Sequence, residues 1–502
     1  MSVNSERSDL PEPDGSADES TEAAATATAT ATAGTTTAPP TATATATAPS
    51  ARQPQGFGAL LTRLHFYAGV MVAPFLLVAA VTGLLYAFTP QLDSLVYGKE
   101  LTVAQTGDSA LPLSEQVARA RAEHPEGTLT AVRPGSGEST TQVDFALPEL
   151  GDKAHTVYVD PYTGEVTGQL TTWWTSTPLT TWLDVLHSNL HLGEVGTLYS
   201  ELAASWLWVL VLGGLVLWWR RRRGTRTARR LLLPETGAKK GGVRRTRSWH
   251  AATGVWIALG MLFLSATGLT WSTYAGENFS KALDSLKSST PYVDTALTGA
   301  DASGADSGAP KSADPSDIDG VLKAARDNGI DGPVSISVPE DGASAWSVSQ
   351  TRNLWPVGRD TVAVDAATEK VVDRVDFADW PLLAKLTTWG VQGHMGLLFG
   401  IVNQIVLALL AIGLICVILW GYRMWWQRRP TRADRRTFLG TPPARGGWRG
   451  MPSWSVAVGI VVVALIGWVI PLFGIPLAAF LAIDLAVGAA RSRRTTAGTS
   501  GG

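Results

Sequence analysis

The stretch RLHFYAGVMVAPFLLVAAVTGLLY, residues 63–86, carries a histidine at the start of a long apolar run. A run of about twenty apolar residues is long enough to cross a bilayer as one helix. A second stretch, SWHAATGVWIALGMLFLSATGLTW at 248–271, repeats the pattern, with His250 matching His65 at an offset of 185 residues. The Thr-Gly-Leu triplets near the end of both runs coincide at the same offset. The first stretch therefore predicts a membrane helix that occurs twice.

A second pair of motifs repeats farther along the chain. LTTWLDVLHSNLHLG at 179–193 matches LTTWGVQGHMGLLFG at 386–400, which pairs His187 with His394 at an offset of 207 residues. His191 has no histidine opposite it. Because each motif precedes another apolar run, the repetition predicts a duplicated unit of helix, external α+β module and helix, with parallel halves.

The hydropathy pattern predicts a mainly α membrane protein with a four-helix core and a C-terminal hairpin. The hairpin region, Val456–Val487, is too long for one ordinary span and contains two prolines, so it is expected to form one or two transmembrane helices. Four other runs have spanning length: Phe66–Phe88, Leu202–Trp219, Ala251–Trp271 and Ile401–Trp420.

Composition excludes several kinds of chemistry. The only cysteine, Cys416, lies in an apolar run, so disulfides and cysteine-ligated metal sites within one chain are excluded. A net charge of −2 gives no reason to expect a nucleic-acid partner; the expected surroundings are a lipid bilayer. No GxGxxG follows a predicted strand, so a nicotinamide or flavin fingerprint is absent from the sequence.

Arginine-rich segments predict the orientation. WWRRRRGTRTARR follows the second run and YRMWWQRRPTRADRR ends the fourth, which places both loops and the N-terminus in the cytoplasm of a multi-pass cell-membrane protein. Low-complexity residues at the start of the chain are expected to be disordered, with no cleavable signal peptide.

The predicted segments are a cytoplasmic leader (1–55), helix 1 (56–90), external module 1 (91–180), an outer approach and helix 2 (181–220), a basic loop (221–248), helix 3 (249–275), external module 2 with a linker (276–385), an outer approach and helix 4 (386–424), a basic loop (425–452), the hairpin (453–490) and a tail (491–502).

Each external segment is expected to form a small α+β module. In the first, a helix in SEQVARARAEHPEG precedes strands in TLTAVRP, TTQVDFALP and HTVYVDPYTGEVTG. In the second, a helix in IDGVLKAARDNG precedes strands in PVSISVPE, AWSVSQ and DTVAVDAATEKVVDRV. The Ala-, Asp- and Ser-rich stretch 298–317 is predicted to be a linker.

Histidines are the main candidates for function. One histidine at a membrane interface usually bonds only to headgroups or a neighbouring helix. Four at repeat-related positions indicate a function, because ionisable groups are costly there. These four are His65 and His250 at the cytoplasmic ends, and His187 and His394 at the external approaches.

The other histidines have weaker claims. His191 is a possible alternative ligand, cofactor contact or proton donor on the external side. His124 and His155 lie in the first external module and are expected to be ordinary surface residues.

Three chemistries compete for the four repeat-related histidines. A proton relay would need carboxylates within the spans, and the candidates Glu194, Glu201 and Asp484 lie near ends or outside the duplicated core. A zinc site would need three or four converging ligands, but each membrane side has two repeat-related histidines. A bis-histidine haem needs one imidazole from each of two helices, so two haem b groups are the favoured prediction, with the four histidines as iron ligands.

Neighbouring residues are compatible with haem but have simpler explanations. Gly69 and Gly254 lie one turn after His65 and His250, where a flat macrocycle would approach the backbone; close helix packing is the alternative. Arg63 is a candidate contact for haem propionates, as is Arg247, although Arg247 is better explained as cytoplasmic anchoring.

The order of these motifs resembles PepSY-associated transmembrane proteins over roughly residues 57–430. The resemblance rests on HxxxG and TGL in the first and third runs, the Leu-His approach to the second, and HMGLLFG before the fourth. VYVDPYTGEV resembles the PepSY module itself, whereas the second copy departs from it with DAATEK.

The resemblance implies a bacterial plasma-membrane protein linked to iron acquisition, some relatives being haem-bearing reductases of ferric siderophores. The expected function is thus electron transfer from a quinol or cytoplasmic flavoprotein to an external ferric chelate. The enzyme class would be a ferric reductase. PepSY modules are also linked to peptidase propeptides, so the alternative is a non-enzymatic membrane regulator or assembly factor that binds a peptide or protease outside.

Overall fold

The computed structural model describes residues 57–124, 126–223, 232–235, 237, 242–297, 314–340, 344–427 and 452–499. The predicted leader, most of the linker and much of both basic loops lie outside the described residues.

Helices of two kinds occur in the described residues: long apolar ones and short ones that flank the strands. In chain order they are α1 (Phe57–Tyr86), α2 (Thr89–Val96), α3 (Gly98–Leu101), α4 (Leu113–Glu123), α5 (Pro178–Asn189), α6 (Gly193–Arg222), α7 (Val243–Leu269), α8 (Thr273–Ser285), α9 (Ile318–Asp327), α10 (Leu382–His394), α11 (Ile401–Gln427), α12 (Ser453–Val469) and α13 (Pro471–Thr499).

The strands fall into two groups of four. They are β1 (Thr128–Arg133), β2 (Thr141–Ala146), β3 (Ala154–Val159), β4 (Val166–Thr172), β5 (Val334–Ser337), β6 (Trp346–Gln350), β7 (Thr361–Asp365) and β8 (Lys370–Val375).

Four helices are long and apolar enough to span a membrane, which confirms the predicted multi-pass membrane protein. They extend beyond the apolar runs because polar residues at their ends continue the helical backbone, as in α6 where Arg220–Arg222 form the last turn. These spans are Gly58–Tyr86, Gly193–Arg222, Val243–Leu269 and Ile401–Gln427.

The four spans pack into one bundle. Helix α1 contacts α6 and α11, and α7 contacts the same two helices. Leu76, Trp206 and Met261 are buried at its centre. The end where α6 finishes in Arg220–Arg222 is called the arginine side below. The opposite end, where α1 and α7 finish, is called the sheet side.

The C-terminal hairpin consists of two short apolar segments packed against each other, helix α12 and the Pro471–Val487 part of α13. Phe473 of α13 lies between Trp206 and Trp208 of α6, with ring centroids 5.2 and 5.3 Å away. Asn278 of α8 donates a hydrogen bond to the carbonyl of Val469, at the turn between the two helices. The hairpin is therefore docked along the bundle.

All eight described strands form one antiparallel sheet in the order β4-β3-β2-β1-β5-β6-β7-β8. The predicted strands are present, and the two sets of strands are continuous in one sheet. The modules join where β1 pairs with β5 through Val132 and Ile336. Both side chains are buried in one apolar core with residues of α4 and α9, so joining the edges removes two exposed strand edges and shares one core.

A backbone break separates each short helix from the span that follows it. Between α5 and α6, Leu190 and His191 adopt positive φ angles of 56° and 54°. Between α10 and α11, Gly396 and Gly400 do so, with φ of 84° and 57°. A positive φ ends an α-helix, so α5 and α10 are independent segments at the sheet side.

Candidate functional site

The arginine side of the bundle brings His65 of α1 and His250 of α7 together. Their ring centroids are 6.5 Å apart and their planes are inclined at 85°. An imidazole nitrogen lies about 1.1 Å from its ring centroid and about 2.0 Å from a bound metal, so two imidazoles on opposite sides of one ion have centroids roughly 6 Å apart. The observed spacing fits that arrangement.

Each of these two imidazoles rests on a neighbouring span. His250 Nδ1 donates a hydrogen bond of 2.9 Å to the carbonyl of Val417 in α11. A neutral imidazole that donates through Nδ1 keeps the Nε2 lone pair free for a metal. His65 lies near the Leu210 carbonyl of α6, but its buried Nδ1 completes no hydrogen bond within the described residues.

At the sheet side, two threonines hold the other histidines. His187 Nδ1 lies 2.9 Å from Thr82 Oγ1, and His394 Nδ1 lies 2.7 Å from Thr267 Oγ1. Each hydroxyl donates its own proton to a backbone carbonyl one turn earlier in its helix, at 2.9 and 2.8 Å. The hydroxyl can therefore only accept from Nδ1–H, which again leaves Nε2 with a free lone pair.

A glycine follows each threonine and lies against the imidazole, closely at Gly83 and at an ordinary van der Waals distance at Gly268. A methyl group on Gly83 would lie 3.0 Å from His187 Cε1, and one on Gly268 would lie 3.5 Å from His394 Cε1. Burial lowers the pKa of His187. Burial, with a further contribution from the charge of His187, lowers the pKa of His394 to about 4. Both imidazoles are thus neutral near pH 7, and they are close enough to influence each other.

The two histidine pairs lie at opposite ends of the bundle. Thr82, which holds His187, comes 17 positions after His65 in the same helix, a separation of roughly 25 Å along the axis. Two sites of this kind, one near each face, span most of the thickness of a bilayer.

The surroundings of the arginine-side pair fit a flat macrocycle. A methyl group added to Gly69 or Gly254 would meet no atom within 4 Å, so open space lies one turn from each histidine. No group of three or more His, Cys, Asp or Glu side chains in the described parts of the chain is arranged to hold a metal ion. Two imidazoles alone suit a metal whose other ligands come with it, as the four nitrogens of haem do.

Arg63 has a different partner from the one that its sequence position suggested. Its guanidinium forms a two-pronged ion pair with Asp484 of α13, with Nη1 2.9 Å from Oδ2. The side chains are 2% and 7% exposed. Arg63 thus joins the hairpin to α1 two positions before His65. Arg247 is half-buried in α7, three positions before His250.

His191 lies apart from the paired histidines, in the turn between α5 and α6. Its ring packs on Trp182 with centroids 5.0 Å apart, and its Nε2 lies 3.1 Å from the Trp182 carbonyl. The side chain is exposed. It therefore occupies the surface of the sheet side rather than the space beside His187 and His394.

The carboxylates considered for a proton relay have separate surroundings. Glu194 is exposed at the start of α6. Buried Glu201 accepts hydrogen bonds of 3.0 and 2.9 Å from the amides of Tyr274 and Ala275, in the first turn of α8. Asp484 pairs with Arg63. Glu201 thus caps a helix and Asp484 anchors the hairpin.

Sequence reasoning missed the role of Thr82 and Thr267. The signal was present, because each begins a Thr-Gly-Leu triplet that recurs at the offset of the helices. The sequence does not show that a histidine is the partner of each threonine, because Thr82 and His187 are 105 positions apart and Thr267 and His394 are 127 positions apart.

Comparison with known proteins agrees with this architecture. The family described as the PepSY-associated TM region matches residues 62–428, which include all four spans and the whole sheet. The α12–α13 hairpin lies beyond the match. No curated protein matches the chain. The chain therefore belongs to the PepSY-associated TM family.

Proposed function

We propose that the protein binds two haem b groups and carries electrons across the membrane to an external ferric chelate, in iron acquisition. The observation that carries the proposal is that His65 and His250 lie together at one end of the bundle, while Thr82 and Thr267 hold His187 and His394 at the other end. Three of the four, His187, His250 and His394, have Nδ1 engaged by an oxygen of a spanning helix, which is the usual form of a metal-ligating histidine.

The proposal includes a duplicated architecture. His187 and Thr82 have the same contact as His394 and Thr267, and the residue offsets are those of the two sequence repeats. The sheet supports it too, because β1–β4 and β5–β8 are successive meanders that meet at β1 and β5. A two-fold axis along the membrane normal would relate the halves and give each end one symmetric pair of ligands.

The proposed orientation places the arginine side in the cytoplasm. The support is positive charge: Arg220–Arg222 end α6, and Arg244 and Arg245 begin α7. The sheet, His187 and His394 would then face the outside, where a ferric chelate is found. Electrons would enter from a quinol or a cytoplasmic flavoprotein, because the sequence has no nicotinamide or flavin fingerprint.

The contacts suggest a role for each residue of the two sites. Haem, when bound, would supply one-electron chemistry. His65 and His250 would hold it at the arginine side, and His187 and His394 at the sheet side. Thr82 and Thr267 would orient the sheet-side imidazoles, and the Gly69 and Gly254 positions would admit the macrocycle next to α1 and α7.

The test is spectroscopic. Protein purified from haem-supplied cells should show a b-type absorbance that changes on reduction with dithionite, and the reduced protein should be reoxidised by a ferric chelate. His250→Ala should remove the arginine-side haem and His394→Ala the sheet-side haem, each leaving about half of the absorbance. Haem binding without reoxidation by any ferric chelate would refute the reductase activity alone.

A second candidate function rests on the edge of the sheet. Among the described strands, β8 pairs only with β7, and its side chains alternate between exposed and half-buried. An open strand edge can accept an added peptide strand. A colourless protein that binds an extended peptide at β8 would therefore be a membrane regulator or assembly factor.

A further inference from the structure

A fifth and a sixth histidine meet on the first half of the sheet, away from the membrane sites. His124 follows α4 and His155 lies on β3, and their ring centroids are 4.1 Å apart. Both Nε2 atoms approach Oε1 of Gln169 on β4, at 3.1 and 3.2 Å. The expectation that these are ordinary surface histidines does not account for this convergence.

The two distances from Gln169 Oε1 to the imidazoles are compatible with a metal ligand set. Ligands bound at about 2.0–2.1 Å in a tetrahedral site are roughly 3.4 Å from one another. The two Nε2–Oε1 distances, 3.1 and 3.2 Å, are close to that value. We infer that His124, His155 and Gln169 form a site for a divalent first-row transition metal ion on the sheet, with the remaining positions open to solvent.

Two carboxylates set the orientation of the donor atoms. Glu126 Oε1 lies 3.3 Å from His124 Nδ1, and Glu123 Oε2 accepts from Gln169 Nε2 at 3.4 Å. The second contact turns the amide so that its oxygen faces the imidazoles. A carboxylate on one imidazole nitrogen, with the metal on the other, is the common arrangement around protein-bound metals.

The charges favour a cation at the centre. Glu126 lies beside His124 and Glu123 beside Gln169, so two carboxylates flank the donor atoms. Negative charge of this kind favours the binding of a positive ion.

The fold does not require this cluster. In the second half of the sheet, Arg374 lies opposite Val362 in the ladder, as Gln169 lies opposite Val157. Arg374 there bonds to the Asn328 carbonyl and to Asp376. The same strand pairing thus forms in the second half with the positively charged side chain of Arg374 at the position of Gln169. The His124–His155–Gln169 set is specific to the first half.

The ligand types narrow the class of ion. Imidazole nitrogen suits zinc, copper, nickel and iron, whereas magnesium and calcium prefer oxygen ligands. Gln169 is exposed, so an ion can enter directly from solvent. The predicted order of affinity is Cu²⁺ above Zn²⁺, with Mg²⁺ and Ca²⁺ unbound at the same concentrations.

Zinc titration of the full-length protein in detergent, after removal of metals with EDTA, tests the inference by calorimetry. We expect one Zn²⁺ per chain at this site, and His124→Ala and His155→Ala should each weaken its affinity at least about tenfold. Thr171→Ala, opposite His155 in the ladder, is the matched control and should bind as the parent does. Absence of stoichiometric Zn²⁺ binding would overturn the inference, leaving two hydrogen bonds between the imidazoles and Gln169 Oε1. Binding unchanged in both histidine variants would overturn it by placing the ion elsewhere.

Discussion

Single hydrogen bonds decide which nitrogen is available in three of the four repeat-related histidines, His187, His250 and His394. The hydroxyls of Thr82 and Thr267 donate their proton to a backbone carbonyl. They can therefore only accept a hydrogen bond from the imidazole. The Val417 carbonyl, which has no proton to give, does the same for His250. In each case the chemistry of a neighbouring oxygen, and not the histidine itself, leaves Nε2 as the free ligand atom.

Removing one threonine hydroxyl should therefore disturb the sheet-side haem without unfolding the bundle. Thr82→Val and Thr267→Val keep the side-chain shape but leave Nδ1 of the histidine unpartnered. We expect haem affinity at the sheet side to fall about 10–100-fold, the usual effect of losing a partner of a ligating histidine. Titration of haem into the haem-free protein measures this.

Serine at either position restores the hydroxyl and should restore the affinity. Thr387→Val is the matched control, because half-buried Thr387 Oγ1 also bonds to a carbonyl one turn earlier, that of Leu383, but has no histidine hydrogen bond among the described residues. Equal affinity in Thr82→Val, Thr267→Val and the parent would show that the threonines do not position the ligands.

Gly69 and Gly254 separate two explanations of a glycine in a membrane helix. If they allow close helix packing, a larger residue should destabilise the bundle. Because a methyl group at either position meets nothing within 4 Å, Gly254→Leu should instead fold normally and exclude the arginine-side haem. Haem content together with circular dichroism gives both readouts.

The comparison position is Gly260, where an added methyl group would lie 2.5 Å from Leu410 of α11. Gly260→Leu should lower the thermal stability of the bundle. A Gly254→Leu variant that keeps its full haem content would contradict the role of the open space.

At the scale of elements, the hairpin depends on one buried ion pair. Arg63 and Asp484 are 421 positions apart in sequence and almost fully buried. Asp484→Asn leaves the guanidinium in the membrane region without its carboxylate, which typically costs about 3–5 kcal/mol for a buried pair. Denaturant unfolding in detergent should show that loss in the free energy of unfolding.

The matched exposed pair is Glu277 with Lys281 on α8. Glu277→Gln should change stability far less, since exposed ion pairs contribute little. Replacing both buried partners, as Arg63→Met with Asp484→Leu, should recover most of the loss. An Asp484→Asn variant as stable as the parent would show that the hairpin is held by its apolar contacts alone.

At the scale of the whole molecule, the two modules are one body because β1 and β5 pair. Ala131 lies opposite Ser337 across that junction. Residues directly opposite in an antiparallel pair have Cα atoms about 4.5–5.5 Å apart, within reach of a disulfide. Ala131→Cys with Ser337→Cys should therefore cross-link under mild oxidation, which gel mobility detects.

Ser347 lies opposite Ser337 on β6, one strand farther from Ala131. Ala131→Cys with Ser347→Cys should stay reduced, because two strand spacings are about 9.6 Å. If Ala131→Cys with Ser337→Cys does not cross-link, β1 and β5 are not paired and the two modules are separate bodies.

The sequence predicted what depends on local pattern and missed what depends on pairing between distant segments. The four spans follow from apolar length, and the histidine set follows from repetition at constant offsets. The pairing of β1 with β5 could not be predicted from the sequence, because any exposed edge strand can pair with any other edge strand. The Arg63–Asp484 pair and the His124–His155 contact were hidden for the same reason: only the fold brings them together.

The most direct test of the central claim is the ratio of haem to protein after purification from haem-supplied cells, measured by pyridine haemochrome absorbance. The paired arrangement of His65 with His250, and of His187 with His394, predicts about two haem b groups per chain. A ratio near zero would contradict the account, and a ratio of one would contradict the two-site arrangement.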